Sequence, residues 1–181
     1  MAGFAREPPR DNASGPFFDP VLADIDGYLA TLAKRPVIVM GHSLGGALLL
    51  ALVERHPERV SKLLIVDALP FYGVLMGGPT ATVDTVRPIA EGMKTRTNGP
   101  MPEAMARSMT AQMVTAPADV DRVTGWTLAG TPSVVASAMA DDILADLRPA
   151  LASVRTPVTI LYETPLEAMF QSGYAALGPK P

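Results

Sequence analysis

The sequence predicts an α/β fold, in which a partial, doubly wound and mostly parallel sheet carries an all-helical insertion. Helical and apolar extended segments alternate along residues 20–68 with short connections, as they do where crossover helices join parallel strands. The extended runs are continuously apolar, which is typical of strands covered on both faces. Residues 84–145 then carry only helical patterns before another apolar strand, and this predicts the insertion.

The composition is that of one globular domain with a core, since 48% of the 181 residues are hydrophobic and 18% are charged. A net charge of −3 argues against nucleic acid and anionic lipid as partners. No cysteine and only two histidines are present, so we expect no metal and no cofactor. No apolar run reaches the roughly 18 residues of a membrane span, and residues 1–10 lack a signal-peptide pattern. A cytoplasmic protein is therefore expected.

The first predicted helix covers residues 20–34, after a loop rich in proline, glycine and aspartate. Asp19 is its expected N-cap and Pro20 its first residue. The apolar residues recur at helical spacing: Val21, Leu22, Ile25, Tyr28, Leu29 and Leu32. Pro36 ends this helix, and the apolar residues that follow it predict a buried strand over 37–40.

The remaining helices and strands are predicted in the same way, from the spacing of apolar residues and from the prolines and glycines that end each element. A helical pattern follows the first strand, and Pro57 is expected to end that helix. The core is predicted to comprise residues 1–69 and 146–181, and a helical cap residues 70–145. Within these parts we predict helices over 46–56, 101–113, 118–128, 132–147 and 164–177, and strands over 60–68 and 156–162.

The segment Gly-His-Ser-Leu-Gly-Gly at residues 41–46 joins the first strand to its helix. It matches G-x-S-x-G at Gly41, Ser43 and Gly45, the pattern of a nucleophile elbow. Ser43 is therefore the expected nucleophile. The N–H of Leu44 opens the helix and is the expected oxyanion donor. We expect side chains at Gly41 or Gly45 to collide across the tight turn.

Residues 41–46, together with Glu-Arg-His-Pro-Glu-Arg-Val at 54–60, resemble the corresponding segments of the α/β-hydrolase superfamily. The resemblance implies that the helical insertion is the family's cap. It also implies earlier strands and a second oxyanion loop ahead of Ala2, and a last strand with the catalytic histidine beyond Pro181. The chain is then expected to be a central segment of a longer hydrolase. In the family's own strand order, residues 2–4 match the loop after the fourth strand. The fifth, sixth and seventh strands match residues 37–40, 63–67 and 158–162.

A catalytic base is missing from the expected order of nucleophile, acid and histidine, because no histidine follows His56. His42 adjoins the nucleophile, and we expect it to pack against neighbouring structure. His56 lies about 20 Å away along the helix at roughly 1.5 Å per residue. The resemblance implies an acid after the seventh strand, where Glu163 stands, with Asp67 as the alternative. Glu163 as a solvated loop charge and Asp67 as a turn residue are the plainer interpretations.

Four methionines, at positions 101, 105, 109 and 113, are predicted to share one face of a cap helix. One interpretation is an adaptable apolar lid, with Met105, Met109 and Trp126 lining the substrate. The other is that this stripe is simply the buried face of the helix.

The resemblance implies a serine hydrolase, esterase-like, that forms an acyl-enzyme on Ser43 from a small hydrophobic ester or acyl substrate. The alternative is a catalytically incomplete fragment or degenerate homologue that only binds a ligand or partner. Cofactor-independent C–C hydrolysis and haloperoxidase-like chemistry use the same elbow, and the sequence does not separate them. A sheet without its outer strands also predicts association with a partner or with a second copy.

Overall fold

The computed structural model describes residues 9, 15–32, 35–96 and 99–177. Three sequence-based expectations lie outside these residues: the loop at residues 2–4, the end of the first helix at residue 34 and the loop that begins at residue 178.

A three-stranded parallel sheet forms the centre of the described structure. The strands are β1 (Val37–His42), β2 (Val60–Val66) and β3 (Val158–Leu161), and they lie side by side in that order. In the pairing register, His42 stands opposite Val66, and Val66 stands opposite Leu161. The carboxyl ends of all three strands therefore meet at one edge of the sheet.

Helix α1 (Phe18–Leu32) begins two residues before the predicted start. Asp19 therefore lies in its first turn, and the prediction that Asp19 is the N-cap is wrong. The carboxylate of Asp141, 123 residues further on, accepts hydrogen bonds from the N–H groups of Phe17 at 2.7 Å and Phe18 at 3.2 Å. A tertiary contact thus replaces the local cap that the sequence predicts.

Helix α2 (Leu44–Arg55) follows β1 directly and crosses over to β2. It begins two residues before the prediction, so that Ser43 is the residue immediately ahead of it. All residues from 46 to 53 are buried, because this helix lies in the middle of the main core. Pro57 ends α2 as predicted, but it also begins a short 3-10 turn, Pro57–Arg59, that leads into β2.

Between β2 and β3 the described residues form helices and the loops that connect them, without a strand, as the sequence predicts. Helix α4 packs on α7, and α5 packs on α6. The helices of this insertion are α3 (Val74–Gly77), α4 (Val83–Arg96), α5 (Glu103–Met113), α6 (Pro117–Leu128) and α7 (Pro132–Leu144).

The chain returns to the sheet through a 3-10 segment, Arg148–Ser153, and β3 follows. The single helix predicted after β3 is instead a 3-10 turn, Thr164–Leu166, and a short helix α8 (Glu167–Gly173). The hydroxyl of Tyr174, just beyond α8, donates a buried 2.7 Å hydrogen bond to the carbonyl of Ala68. This bond fastens the last described segment to the end of β2.

The main core lies between α1, α2 and one face of the sheet, and a second apolar cluster around Phe71 and Ile143 fills the insertion. The other face of β1 is open: Ile38 is 67% and Met40 69% exposed. The prediction that β1 is covered on both faces is therefore wrong for the part of the chain described. No helix within the described ranges is long and apolar enough to cross a bilayer.

Candidate active site

Ser43 stands at the sharp turn between β1 and α2. Its backbone has φ 50° and ψ −127°, a left-handed conformation that non-glycine residues rarely adopt. The N–H of Ser43 donates to the carbonyl of Val66 at 2.9 Å, and its carbonyl accepts from the N–H of Gly46 at 2.7 Å. The strained turn is thus held by β2 on one side and by α2 on the other, with the Ser43 side chain exposed.

The glycines of the turn have different roles. A Cβ atom on Gly41 would lie 2.3 Å from the carbonyl oxygen of Gly45, so no side chain fits there. A Cβ atom on Gly46 would lie 2.6 Å from the Cβ of Ala68, so Gly46 lets α2 approach the segment after β2. A Cβ atom on Gly45 meets no described atom within 4 Å. The expected collision at Gly41 is confirmed, and the one expected at Gly45 is wrong.

Leu44 is the first residue of α2, so its N–H has no partner within the helix. The partial positive charge of a helix N-terminus adds to this donor. This N–H therefore follows the Ser43 hydroxyl directly along the chain, at the end of the helix that favours anions. The role of Leu44 as an oxyanion donor stays a prediction.

Asp67 follows β2 in the way that Ser43 follows β1. It has φ 48°, and its N–H donates to the carbonyl of Leu161 at 2.8 Å. Ser43 and Asp67 are the non-glycine residues with positive φ among those described. Because His42 pairs with Val66, the two residues follow paired positions of neighbouring strands.

Glu163 lies two residues beyond β3 and is exposed. Its carbonyl accepts from the N–H of Leu166 and so starts the 3-10 turn. Both candidate acids therefore lie at the carboxyl edge of the sheet, but Asp67 follows β2, which neighbours β1, and Glu163 follows β3, which is one strand further away.

Neither histidine forms a hydrogen bond with Ser43 among the described residues. His42 is exposed, so the expectation that it packs against its neighbours is wrong. His56 caps the far end of α2, where its Nδ1 lies 3.7 Å from Glu58 and 4.0 Å from Asp26. Its position 13 residues after Ser43, at the other end of α2, puts it about 20 Å away at roughly 1.5 Å per residue.

The methionine stripe lies on the surface of α5. Met105 is 55% exposed and Met109 45%, whereas Ala106 and Thr110 form the buried face that packs on α6. The interpretation of the stripe as a buried helix face is therefore wrong. Trp126 on α6 is 58% exposed as well. Lining of a substrate by Met105, Met109 and Trp126 stays a prediction.

Two ionisable groups of the insertion, one buried and one half-buried, lie in surroundings that shift their pKa values. Asp142 on α7 is only 4% exposed, and burial raises the pKa of its carboxyl group to about 6. Burial, followed by the charges of Asp142 and Asp67, raises the pKa of the Tyr72 phenol. The helical pattern around Asp142 gave no signal that this acid would be buried.

An apolar cavity of about 430 Å³ lies between the segment after β2 and α8. The guanidinium of Arg148 borders it, stacked 4.4 Å from the centre of the Phe71 ring and paired with Asp146. Ser43 does not line this cavity, so it is separate from the elbow. Within the described ranges, no group of three or more potential ligands could hold a metal ion.

Comparison with known proteins places the sequence in a broad family. A family model described as the alpha/beta hydrolase fold matches residues 1–106. A search among curated proteins returned no match.

Several solved structures share the fold over nearly the whole chain. An esterase from Exiguobacterium antarcticum matches with a TM-score of 0.69 and 20% identity, over 96% of this chain and 67% of its own. The thioesterase domain from the curacin biosynthetic pathway matches with a TM-score of 0.65 and 16% identity, over 100% and 71%. An enol-lactonase from Burkholderia xenovorans LB400 matches with a TM-score of 0.64 and 19% identity, over 91% and 60%. The chain thus spans about two thirds of the length of these structures.

Proposed function

Because this chain belongs to the α/β-hydrolase family, we propose that it is the nucleophile-bearing part of a serine hydrolase that acts on carboxylic esters or related acyl compounds. The observation that carries the proposal is the backbone of Ser43, a strained non-glycine residue between a strand and the N-terminus of a helix. Nothing in the packing of the turn requires a serine, whereas an exposed hydroxyl beside a free N–H is what acyl transfer needs.

In the proposed reaction, the Ser43 oxygen attacks the carbonyl carbon of the ester while a base removes the hydroxyl proton. The carbonyl π bond opens onto its oxygen, which accepts a hydrogen bond from the N–H of Leu44. Collapse of this intermediate expels the alcohol, which takes the proton from the protonated base, and leaves an acyl group on Ser43. Water, deprotonated by the same base, then attacks the acyl group, releasing the acid and restoring the serine.

Asp67 and Glu163 are both proposed as the acid that orients the base. Glu163 follows β3, the position that the family resemblance implies. Asp67 follows β2, the strand next to β1, and its strained backbone is a second support for its role as the acid. The base itself is proposed to come from outside these 181 residues, because the two histidines of the chain are an exposed neighbour of Ser43 and a residue at the far end of α2.

The placement of those histidines also favours the second candidate function, a binding protein without turnover. A serine with no base reacts slowly with esters even when the oxyanion donors are present. In that case the chain would hold an ester or acyl ligand at the turn and would not hydrolyse it. The named activities of the similar structures, esterase, thioesterase and lactonase, support acyl compounds as ligands for either candidate.

Fluorophosphonate labelling followed by peptide mass spectrometry tests the proposal, because this probe reacts with activated serines. In the presence of the segment that supplies the base, we expect the label on Ser43 and its loss in Ser43→Ala. Ser61→Ala is the matched control, since Ser61 is an exposed serine on β2, and it should retain full labelling.

Hydrolysis of p-nitrophenyl butyrate by the same variants separates the two functions. Labelling of Ser43 with ester turnover supports the hydrolase. Binding of the ester without labelling supports the binding protein. Equal labelling of the wild type and Ser43→Ala would contradict any nucleophilic role of Ser43.

A further inference from the structure

The cavity between the segment after β2 and α8 has the size of a small-molecule site. Its volume is about 430 Å³, whereas a cavity of roughly 150 Å³ already holds benzene. Leu69, Pro70 and Phe71 line it from the segment after β2, and Leu166 and Met169 line it from the side of α8. Packed protein interiors rarely keep apolar space of this size empty. The cavity therefore suits a small ligand with an apolar body.

Three contacts hold the walls of this cavity together without a ligand. The hydroxyl of Tyr174 donates to the carbonyl of Ala68 at 2.7 Å. The N–H of Leu147 donates to the carbonyl of Pro70 at 2.8 Å. A Cβ atom on Gly173 would lie 3.3 Å from the Cδ of Pro70, so the end of α8 approaches this segment closely. The cavity is thus formed before a ligand arrives, which lowers the cost of binding.

Arg148 is the only charged residue among the described ones that line the cavity. Its Nε and Nη2 donate to Asp146 at 2.8 and 2.6 Å, and Nη2 also donates to the carbonyl of Ala81 at 3.2 Å. Nη1 donates to no group of the described chain, and the side chain is 33% exposed. Asp146, which pairs with this cation, does not line the cavity. The apolar walls therefore meet a fixed cation that has donors to spare.

We propose that this cavity binds a carboxylate with an apolar tail, such as a free fatty acid of medium chain length. The carboxylate lies on Arg148 and the tail lies along Leu69 and Met169. A guanidinium recognises carboxylates through its N–H donors and stays charged at every physiological pH. The flexible side chain of Met169 adapts to tails of different shape. The inference does not depend on the proposed function, because Ser43 does not line the cavity.

Three ligands with the same eight-carbon chain test the inference on the wild-type chain. Octanoate ends in an anion, 1-octanol in a neutral hydroxyl group and octylammonium in a cation. Each is titrated by calorimetry at concentrations where it does not aggregate. We expect octanoate to bind roughly tenfold more tightly than 1-octanol, as one charge-assisted hydrogen bond allows, and octylammonium to bind most weakly.

Ala168→Trp tests whether octanoate occupies this cavity. Ala168 is exposed on α8 and lines the cavity, so an indole ring there fills the space without removing Arg148. Octanoate binding should fall below detection. Gln171→Trp is the matched control, since Gln171 is exposed on the same helix but does not line the cavity. This control should bind octanoate as the wild type does.

Substitutions of Arg148 test the polar end of the site. Arg148→Gln should bring the affinities for octanoate and 1-octanol close together, whereas Arg148→Lys keeps the positive charge and should retain part of the preference. Circular dichroism at the titration temperature verifies that each variant is folded. If Arg148→Gln is unfolded, the order of the three ligands and the effect of Ala168→Trp still decide the inference.

Equal binding of the three ligands, no binding of octanoate, or octanoate binding that survives Ala168→Trp overturns the inference. Its failure is distinct from failure of the proposed function. Labelling of Ser43 by fluorophosphonate without octanoate binding contradicts only the cavity ligand. Octanoate binding in the cavity with no labelling of Ser43 contradicts only the hydrolase.

Discussion

The main-chain N–H of Ser43 donates a hydrogen bond to the carbonyl oxygen of Val66, with the two atoms 2.9 Å apart. One strand further, the N–H of Asp67 donates to Leu161 at 2.8 Å, and both donors have positive φ. Each residue thus leaves its strand in a strained conformation that the neighbouring strand holds. Strain of this kind persists only where surrounding structure determines it, and it concentrates at functional sites.

The strain at Ser43 predicts that Ser43→Gly is more stable than Ser43→Ala. Both variants lose the hydroxyl, but only glycine adopts φ 50° without a steric penalty. After subtraction of the entropy cost of glycine, we expect a difference of about 1 kcal/mol in the free energy of unfolding. Urea denaturation of the two variants measures it. A more stable alanine variant would contradict the assigned strain.

Gly41 and Gly45 provide a matched pair within one turn. Gly41→Ala places a methyl group against the Gly45 carbonyl at 2.3 Å and is expected to cost about 1–3 kcal/mol or to prevent folding. Gly45→Ala adds a methyl group in open space in the first turn of α2, where alanine favours the helix by up to about 1 kcal/mol. Thermal and urea denaturation of both variants measures the two changes in stability. Equal losses in the two variants would contradict the prediction.

Asp141 connects the insertion to α1 and to Lys94 on α4. Asp141→Ala leaves two N–H groups and an ammonium without their acceptor, so we expect a loss of about 2–3 kcal/mol in the free energy of unfolding. Asp84→Ala, which removes an exposed carboxylate at 3.5 Å from Arg87, should change it by less than about 0.5 kcal/mol. Similar losses in the two variants would show that the Asp141 contacts contribute no more than a surface pair.

Asp142 predicts a pH dependence of stability with a definite sign. Burial raises its pKa from 3.8 to about 6 in the folded state, so the folded protein favours the protonated acid. The contribution of this group is fully present below about pH 4 and is lost as the pH rises through 6. At about 1.4 kcal/mol per pKa unit, the loss is on the order of 2–3 kcal/mol.

The Asp142→Asn variant isolates this contribution, because asparagine does not titrate. Relative to the wild type, Asp142→Asn should gain stability between pH 4 and pH 7, as measured by urea denaturation at several pH values. If the difference in the free energy of unfolding between the two proteins stays constant from pH 4 to pH 7, the Asp142 carboxyl group is not desolvated.

The open face of β1 predicts self-association. Ile38 and Met40 are about two-thirds exposed on a strand that, among the described residues, lies at the edge of the sheet. An apolar edge strand offers both unpaired main-chain groups and an apolar surface to a second copy. Ile38→Lys with Met40→Lys should therefore raise the monomer fraction in light scattering coupled to gel filtration.

Met105→Lys is the control for that experiment, because Met105 is similarly exposed, at 55%, but lies on α5. It should leave the association unchanged. A fully monomeric wild type at high concentration, or an equal effect of the control, would contradict association through β1.

The sequence predicted helices and strands well where a single contiguous run of residues determines the element. The apolar strand, the glycines and the small apolar helix residues around Ser43 are contiguous, so the strand–turn–helix order follows from the sequence alone. The first boundary of α1 was missed because its cap comes from Asp141, over a hundred residues away. The collision at Gly45 was wrongly expected because the sequence pattern does not show which glycine faces the opposite side of the turn.

By itself the sequence determined the family, the alternation of helices and strands and the position of Ser43, since each depends on neighbours along the chain. Only the tertiary structure decided which faces are covered. Helical spacing groups Met105 with Met109 but does not show whether that side meets solvent or protein, and the structure leaves both exposed. The same holds for Asp142, an acid in a helical pattern that becomes an unpartnered buried carboxylate only because α7 packs across the core. Burial and electrostatic environment depend on residues distant in the chain, and a single sequence does not show where these meet.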